Sequence, residues 1–121
     1  MSELIQLEKR GHIAVLTIAN PPANTWTADS LAALKATVEE LNADRNIFAL
    51  VVTGQGEKFF SAGADLKTFA DGDRARANDM AQRFGEAFAA LTAFRGVSIA
   101  AVNGYAMGGG LECAMACDIR I

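Results

Sequence analysis

The chain opens with two short runs that have the residue pattern of β-strands. Residues 4–10 alternate between apolar and polar side chains, and residues 13–18 form an apolar run rich in β-branched residues. Gly11 and His12 between the two runs are typical of a tight turn. The start of the sequence therefore predicts a β-hairpin, and the Asn20-Pro21-Pro22 segment after it predicts a loop.

Three later stretches have the spacing of α-helices. After Thr27, a residue type that caps helices, leucine and valine recur at helical spacing and predict a helix to about residue 42. A second helix is predicted over residues 74–94, with Met80, Phe84, Phe88 and Leu91 on one face. A third helix, rich in small residues, is predicted over residues 109–116.

Uninterrupted apolar runs at residues 48–53 and 97–102 predict buried strands between these helices. The order β-β-α-β-loop-α-β-α-β predicts an α/β fold with short crossovers. A chain of 121 residues is long enough for one domain and too short for two. Because residues 118–121 have the pattern of a strand that has only begun, we expect the chain to be a fragment of a larger domain.

Composition argues against several classes of function. A net charge of -3 gives no electrostatic reason to expect nucleic acid or an anionic membrane surface. The longest apolar runs are too short to span a bilayer, and the N-terminus lacks the pattern of a signal peptide. Cys113 and Cys117 have no second pair to complete a zinc site. We therefore expect a reduced, cytoplasmic protein with no metal site, no nucleic-acid partner and no membrane segment.

Two segments are unusually rich in small residues. Residues 61–65, Ser-Ala-Gly-Ala-Asp, follow two phenylalanines, and small side chains there allow a ligand or another segment to approach the backbone. A tightly packed loop would explain the same pattern. Residues 108–110 are three consecutive glycines at the predicted start of a helix. The unpaired N–H groups of a helix start form a site for an anion or an oxyanion.

The second segment does not match the common nucleotide-binding patterns. A P-loop needs Lys and then Ser or Thr where Gly110 and Leu111 stand, and the dinucleotide fingerprint needs a glycine where Ala106 stands. Glu112 lies three residues after Gly109, near the helix face of the free N–H groups, where a carboxylate can act as a general acid or base. A first-turn glutamate that only stabilises the helix dipole has the same position, so the spacing leaves both roles open.

Together these segments resemble the crotonase superfamily, and within it the bacterial enoyl-CoA hydratases. The resemblance lies in FSAGADLK at residues 60–67 and in IAAVNGYAMGGGLECAMACD at residues 99–118, and residues 20–24 are similar to the family's early loop. It implies a spiral of ββα units, with residues 1–121 as the N-terminal part of a catalytic domain whose C-terminal half is absent.

The sequence departs from the family pattern in two segments. Gly96 replaces the proline that precedes the family's Ile-Ala-Ala-Val strand. Pro22 and Ala23 stand where many members carry a basic residue near the CoA phosphates. The early loop therefore gives little support for a phosphate contact.

The resemblance also implies roles for particular residues. By motif position, the backbone N–H groups of Ala64 and Gly109 would hold the thioester carbonyl in an oxyanion hole. Glu112 would activate the attacking water, and a second glutamate, which protonates the α-carbon in the family, would lie beyond Ile121. The loop of residues 62–67 resembles the family's binding site for the adenine end of CoA. The predicted substrate-binding residues are therefore Gly109 and the six residues of this loop: Ala62, Gly63, Ala64, Asp65, Leu66 and Lys67.

The activity implied by the resemblance is addition of water across the double bond of a 2-enoyl-CoA thioester. The alternatives are a Δ3-Δ2-enoyl-CoA isomerase or an acyl-CoA hydrolase of the same fold, because an oxyanion hole serves all three reactions. The acyl-CoA is the substrate and no further cofactor is expected. The family implies a homotrimer or hexamer for the full-length protein. Residues 1–121 alone are expected to be inactive.

Overall fold

The structure is a computed structural model and describes residues 4–69 and 71–121. The described residues form seven strands, three α-helices and a short 3₁₀ helix. In chain order these are β1 (Ile5–Arg10), β2 (Ile13–Ile18), α1 (Ala28–Ala43), β3 (Ala49–Gly54), β4 (Phe59–Ser61), the 3₁₀ helix (Leu66–Phe69), α2 (Arg74–Thr92), β5 (Val97–Ala101), β6 (Tyr105–Ala106), α3 (Gly109–Ala116) and β7 (Ile119–Arg120).

The main sheet has five strands in the order β1-β2-β3-β5-β7. Strands β1 and β2 form the predicted antiparallel hairpin, and every later neighbour pair in this sheet is parallel. Parallel neighbours need a crossover connection, and α1 and α2 lie in the segments that connect β2 to β3 and β4 to β5. The α/β class expected from the sequence is therefore the class that is found.

One face of the main sheet forms the core with α1 and α2. Alternate residues of the strands point to this face, and they are buried together with the apolar residues of the two helices. The largest fully buried members are Trp26, Phe60, Ile5, Leu16, Ile18, Leu31, Leu34, Leu41, Ile47, Leu50, Met80 and Leu91. Residues of the opposite face are half-buried or exposed, with Ile13, Val97 and Ile119 each more than two-fifths exposed.

Side-chain caps fix where the two long helices begin. Thr27 and Ser30 form a reciprocal capping box at α1, with Ser30 N donating to Thr27 Oγ1 at 3.1 Å and Thr27 N donating to Ser30 Oγ at 2.9 Å. Asp73 accepts from the backbone N–H groups of Ala75 and Arg76 at the start of α2. These local bonds explain why the predicted starts are accurate and why the helix ends, which lack such signals, differ by up to two residues.

A second sheet, which the sequence pattern did not predict, is made from β4 and β6 alone. The two strands run parallel, with Phe59 opposite Tyr105 and Ser61 opposite Ala106. Strands of two or three residues are too short to display an alternating pattern, so only their pairing reveals them. This small sheet brings together the two segments that are rich in glycine and alanine.

Candidate functional site

The first of these segments leaves β4 and pairs with the loop before α1. Trp26 and Ala64 form a parallel bridge: Trp26 N donates to Gly63 O at 2.7 Å, and Asp65 N donates to Trp26 O at 3.0 Å. In a trans peptide the C=O of one residue and the N–H of the next point in opposite directions. Because the Gly63 carbonyl points at Trp26, the Ala64 N–H points away from it.

The second segment turns from β6 into α3. Gly108 precedes the helix with a φ of 52°, and Gly109 is the first helical residue. Gly110 N donates to Met107 O at 2.8 Å, and Glu112 N donates to Gly108 O at 3.0 Å. The N–H of the first residue of a helix has no acceptor within that helix. Gly109 therefore presents a free backbone donor at the positive end of α3.

The two segments touch backbone to backbone. Met107 N donates to Ser61 O at 3.0 Å. A Cβ on Gly63 would lie 3.0 Å from Met107 O and 3.1 Å from Gly109 N, and a Cβ on Gly110 would overlap the Ser61 carbonyl. Gly63 also has a φ of 101°, which side-chain-bearing residues rarely adopt. Glycine is therefore required at both positions by the closeness of the segments.

An open cavity of about 440 Å³ lies beside this contact. It brings together three of the residues singled out in the sequence, Ala64, Gly109 and Glu112. The rest of its lining comes from α2, through Ala77, Ala81, Phe84 and Gly85. Glu112 is an exposed residue in the first turn of α3. A carboxylate and a free backbone donor at a helix start thus share one cavity, whose wall on the α2 side is largely apolar.

The other predicted substrate-binding residues lie along the same loop but do not line this cavity. Ala62 N donates to Ala23 O at 2.9 Å, which holds the loop against the early segment. Asp65 accepts from the backbone N–H of Lys67 at 3.1 Å. Leu66 and Lys67 begin the 3₁₀ helix and are exposed. A CoA contact for Ala62, Gly63, Asp65, Leu66 and Lys67 remains a prediction.

Two asparagines that the sequence reasoning did not single out hold the loop between β3 and β4. Asn24 Nδ2 donates to Gln55 O and to Phe59 O, each at 3.0 Å. Asn103 Nδ2 donates to Gly56 O at 2.9 Å, and its Oδ1 accepts from Gly54 N at 3.0 Å. Both residues lie in segments that resemble the family, but the carbonyl groups that they satisfy are far away in sequence.

His12 and the two cysteines lie outside the cavity lining and take part in local packing. His12 is exposed, stacks on Phe48 with ring centroids 4.3 Å apart, and places Nδ1 2.7 Å from Asn46 O. Cys113 of α3 and Cys117, the residue that follows this helix, are both buried. Burial raises the pKa of Cys113 well above its usual value and that of Cys117 to about 11. Within residues 4–69 and 71–121, no group of three or more His, Cys, Asp or Glu side chains is placed to hold a metal ion.

No helix within the described part of the chain is both long and apolar enough to cross a membrane.

Comparison with known proteins places this geometry in a family. The family model described as enoyl-CoA hydratase/isomerase matches residues 8–121. The short-chain-enoyl-CoA hydratase of Clostridium acetobutylicum is 40% identical over 116 residues, which are 95% of this chain and 44% of that protein. The chain therefore spans somewhat less than half the length of this curated relative.

Solved structures agree with the sequence comparison. The structure of DspI from Pseudomonas aeruginosa is 69% identical, with a TM-score of 0.97 over 98% of this chain and 45% of that one. The enoyl-CoA hydratase of Bacillus anthracis is 29% identical, with a TM-score of 0.94 over 98% of this chain and 46% of that one. The resemblance proposed from the two motifs is confirmed, and the chain belongs to the enoyl-CoA hydratase/isomerase family of the crotonase superfamily.

Proposed function

We propose that the protein hydrates a 2-enoyl-CoA thioester to the 3-hydroxyacyl-CoA. The observation that carries the proposal is the shared cavity of Ala64, Gly109 and Glu112. Two backbone N–H groups, one directed away from Trp26 and one at the start of α3, are suited to bind a single oxygen that gains negative charge. The name of the Clostridium acetobutylicum relative supports the same reaction.

The reaction divides between these groups as follows. Glu112 accepts a proton from water, and the water oxygen forms a bond to C3 of the substrate. The C2–C3 π electrons move toward the thioester carbonyl, whose oxygen becomes the enolate oxyanion held by the Ala64 and Gly109 N–H groups. A second acid, which we expect outside residues 1–121, then protonates C2. Water is thereby added with no change in overall charge.

The donors belong to the backbone, so an ordinary side-chain substitution does not remove them. Glu112 is therefore the residue to test. In the full-length protein, Glu112→Gln is expected to lower kcat for crotonyl-CoA hydration by at least about 100-fold, because the amide cannot take the proton from water. Glu40→Gln, at an exposed position of α1, is the matched control and is expected to keep wild-type turnover. Unchanged hydration in Glu112→Gln would refute the proposal.

The same cavity would serve a Δ3-Δ2-enoyl-CoA isomerase or an acyl-CoA hydrolase, because each reaction places negative charge on the thioester oxygen. The family description itself covers both hydratase and isomerase. Assaying 2-enoyl and 3-enoyl substrates side by side, with release of free CoA measured in parallel, separates the three. Hydration is expected to be the fastest, and a preference for 3-enoyl-CoA or for thioester cleavage would replace our proposal by the corresponding alternative.

A further inference from the structure

Three aromatic rings form a row between α2 and the loop before α1. The rings of Trp26 and Phe88 meet edge to face, with centroids 5.8 Å apart and planes at 71°. Phe88 and Phe84, one helical turn apart on α2, meet in the same way at 5.7 Å and 61°. Trp26 is fully buried and Phe88 nearly so. Edge-to-face contacts between buried rings are directional, so each ring restricts the orientation of the next.

The two ends of this aromatic row reach the two proposed donors. At one end, the backbone of Trp26 is hydrogen-bonded on both sides of Ala64, to Gly63 O and from Asp65 N. At the other end, the Phe84 ring edge packs on Gly109, where a Cβ would lie 2.6 Å from Cε1 and 3.2 Å from Cζ. A continuous series of contacts therefore joins the Ala64 loop to the start of α3, through the backbone of Trp26 and then through three aromatic side chains.

We infer that Trp26, Phe88 and Phe84 are positioning residues that set the separation and direction of the Ala64 and Gly109 N–H groups. The inference rests on the proposed function, since it assigns these N–H groups one common acceptor. Two donors act on one oxygen only if both lie within about 3 Å of it. The backbone contact between Ser61 and Met107 fixes the small sheet behind the donors, and the aromatic row fixes the opposite side.

The unusual state of the Trp26 indole agrees with this role. Its Nε1 is buried and has no hydrogen-bond partner among the described residues. A buried donor without a partner is unfavourable, so hydrogen bonding does not explain why a tryptophan stands at this position. Its contact with Phe88 supplies a packing role, and loss of the N–H alone is not expected to disturb the site.

Phe88 is the residue to substitute, because it lines neither the cavity nor the donor loops. In the full-length protein, Phe88→Leu is expected to lower kcat for crotonyl-CoA about tenfold while KM changes less than about twofold, because a displaced donor acts mainly on the transition state. Phe94→Leu is the matched control: Phe94 is equally buried but lies beyond the end of α2. It is expected to retain wild-type kcat.

A spectroscopic measurement separates positioning from general loss of stability. Butyryl-CoA labelled with carbon-13 at its carbonyl binds without a double bond to hydrate, and its C=O stretching frequency reports hydrogen bonding to the oxygen. We expect the wild type to lower this frequency below its value in water, Phe88→Leu to reverse part of the shift, and Phe94→Leu to leave it unchanged. Trp26→Phe, which removes no hydrogen bond, is expected to give a smaller reversal and serves if Phe88→Leu folds poorly.

The possible failures are distinguishable. If the wild type binds butyryl-CoA without any shift of the carbonyl frequency, the proposed oxyanion hole is wrong and the function fails with it. If the wild type lowers the carbonyl frequency, and Phe88→Leu and Trp26→Phe each lower it as much as the wild type does, the function stands and the positioning role is refuted. A loss of kcat in Phe94→Leu equal to that in Phe88→Leu would also refute the role, because it would reflect stability alone.

Discussion

Asn24 is fully buried in the loop that leads to Trp26, and its backbone has a left-handed φ of 53°. Asparagine tolerates this conformation better than most residues because its short side chain bonds to nearby backbone. Here Asn24 Oδ1 accepts from the nearby Asn20 N at 3.2 Å, and Nδ2 donates to carbonyl groups of the β3–β4 loop. A single side chain thereby connects the early loop to the segment that carries Ala64.

Asn24→Ala is expected to lower the free energy of unfolding by about 2–3 kcal/mol, because it leaves buried carbonyl groups without donors and keeps the unfavourable φ. Urea unfolding followed by circular dichroism measures the change. Asn78→Ala is the matched control; this residue is exposed on α2, where alanine favours the helix, so stability is expected to stay equal or to rise slightly. Equal stability of the two variants would contradict the bridging role.

At this scale only some of the site residues could be predicted from sequence patterns. The three glycines before Glu112 are unusual at a helix start, so they attract attention without a structure. The surroundings of Asn24 and Asn103 carry no such signal, because the carbonyl groups that they bind are set by tertiary contacts. The structure brings Ala64, Gly109 and Glu112 to one cavity, while the chemical role of each stays a prediction.

Among the elements, α3 is the one whose start is decided by close packing. Gly110 is buried against the Ser61 backbone, and Gly85 on α2 has open space where a Cβ would be. Gly110→Ala is therefore expected to lower the free energy of unfolding by about 3 kcal/mol through overpacking. Gly85→Ala is expected to raise it by about 1 kcal/mol, because alanine is the better helix former. Urea midpoints of the two variants test the contrast, and similar changes in both would show that packing at α3 is loose.

The buried thiols of Cys113, in α3, and of Cys117, just after it, are expected to make stability depend on pH in the alkaline range. Burial raises the pKa of Cys113 and Cys117, the latter to about 11, whereas an unfolded thiol ionises near pH 8.5. Above that pH the unfolded chain has lost protons that the folded chain keeps. The free energy of unfolding is therefore expected to fall between about pH 9 and 11, by less than about 1.4 kcal/mol per pH unit for each thiol.

Urea unfolding across that pH range measures the effect. The double substitution Cys113→Ala with Cys117→Ala is the control, because other groups that titrate there are the same in both proteins. The difference in stability between wild type and the double variant is expected to shrink as pH rises. A difference that stays constant with pH would show that the thiols are not held protonated by the fold.

Whole elements were the most predictable part of the molecule. Helices α1 and α2 and strands β2, β3 and β5 follow from periodicity, apolar runs and caps, since these signals are local. The pair β4 and β6 could not be predicted, because two residues of β6 form a strand only by bonding to a distant partner. The site is built on that pair, which is why its placement needed the structure.

At the scale of the whole molecule, the main sheet has one well-buried face and one that is only partly covered. Parallel sheets usually have both faces covered by other elements. Here Ile13, Val97 and Ile119 are each more than two-fifths exposed on the second face. Ala49 of β3 lies between Ile13 and Val97, so polypeptide 1–121 presents a row of apolar side chains across three strands.

Purified polypeptide 1–121 is therefore expected to bind the apolar dye ANS, with a several-fold rise in fluorescence. Val97→Thr combined with Ile13→Thr keeps the β-branched shapes, adds hydroxyl groups to the face, and is expected to reduce the rise markedly. Met115→Gln removes an exposed apolar side chain of α3 and is the control, expected to change little. An equal loss of fluorescence in the double threonine variant and in Met115→Gln would show that the dye does not bind specifically to this face of the sheet.

The direct contact of Ser61 with Met107 also has a consequence for how the chain acquires its site during synthesis. The Ala64 loop leaves the ribosome early, but its neighbours at Met107 and Gly110 are made only after α2 and β5. Closing a contact between residues so far apart in sequence costs chain entropy, and interactions between residues close in sequence do not offset that cost. We expect the nascent chain to keep the Ala64 loop unprotected until α3 emerges, so that both donors are placed in a single late step.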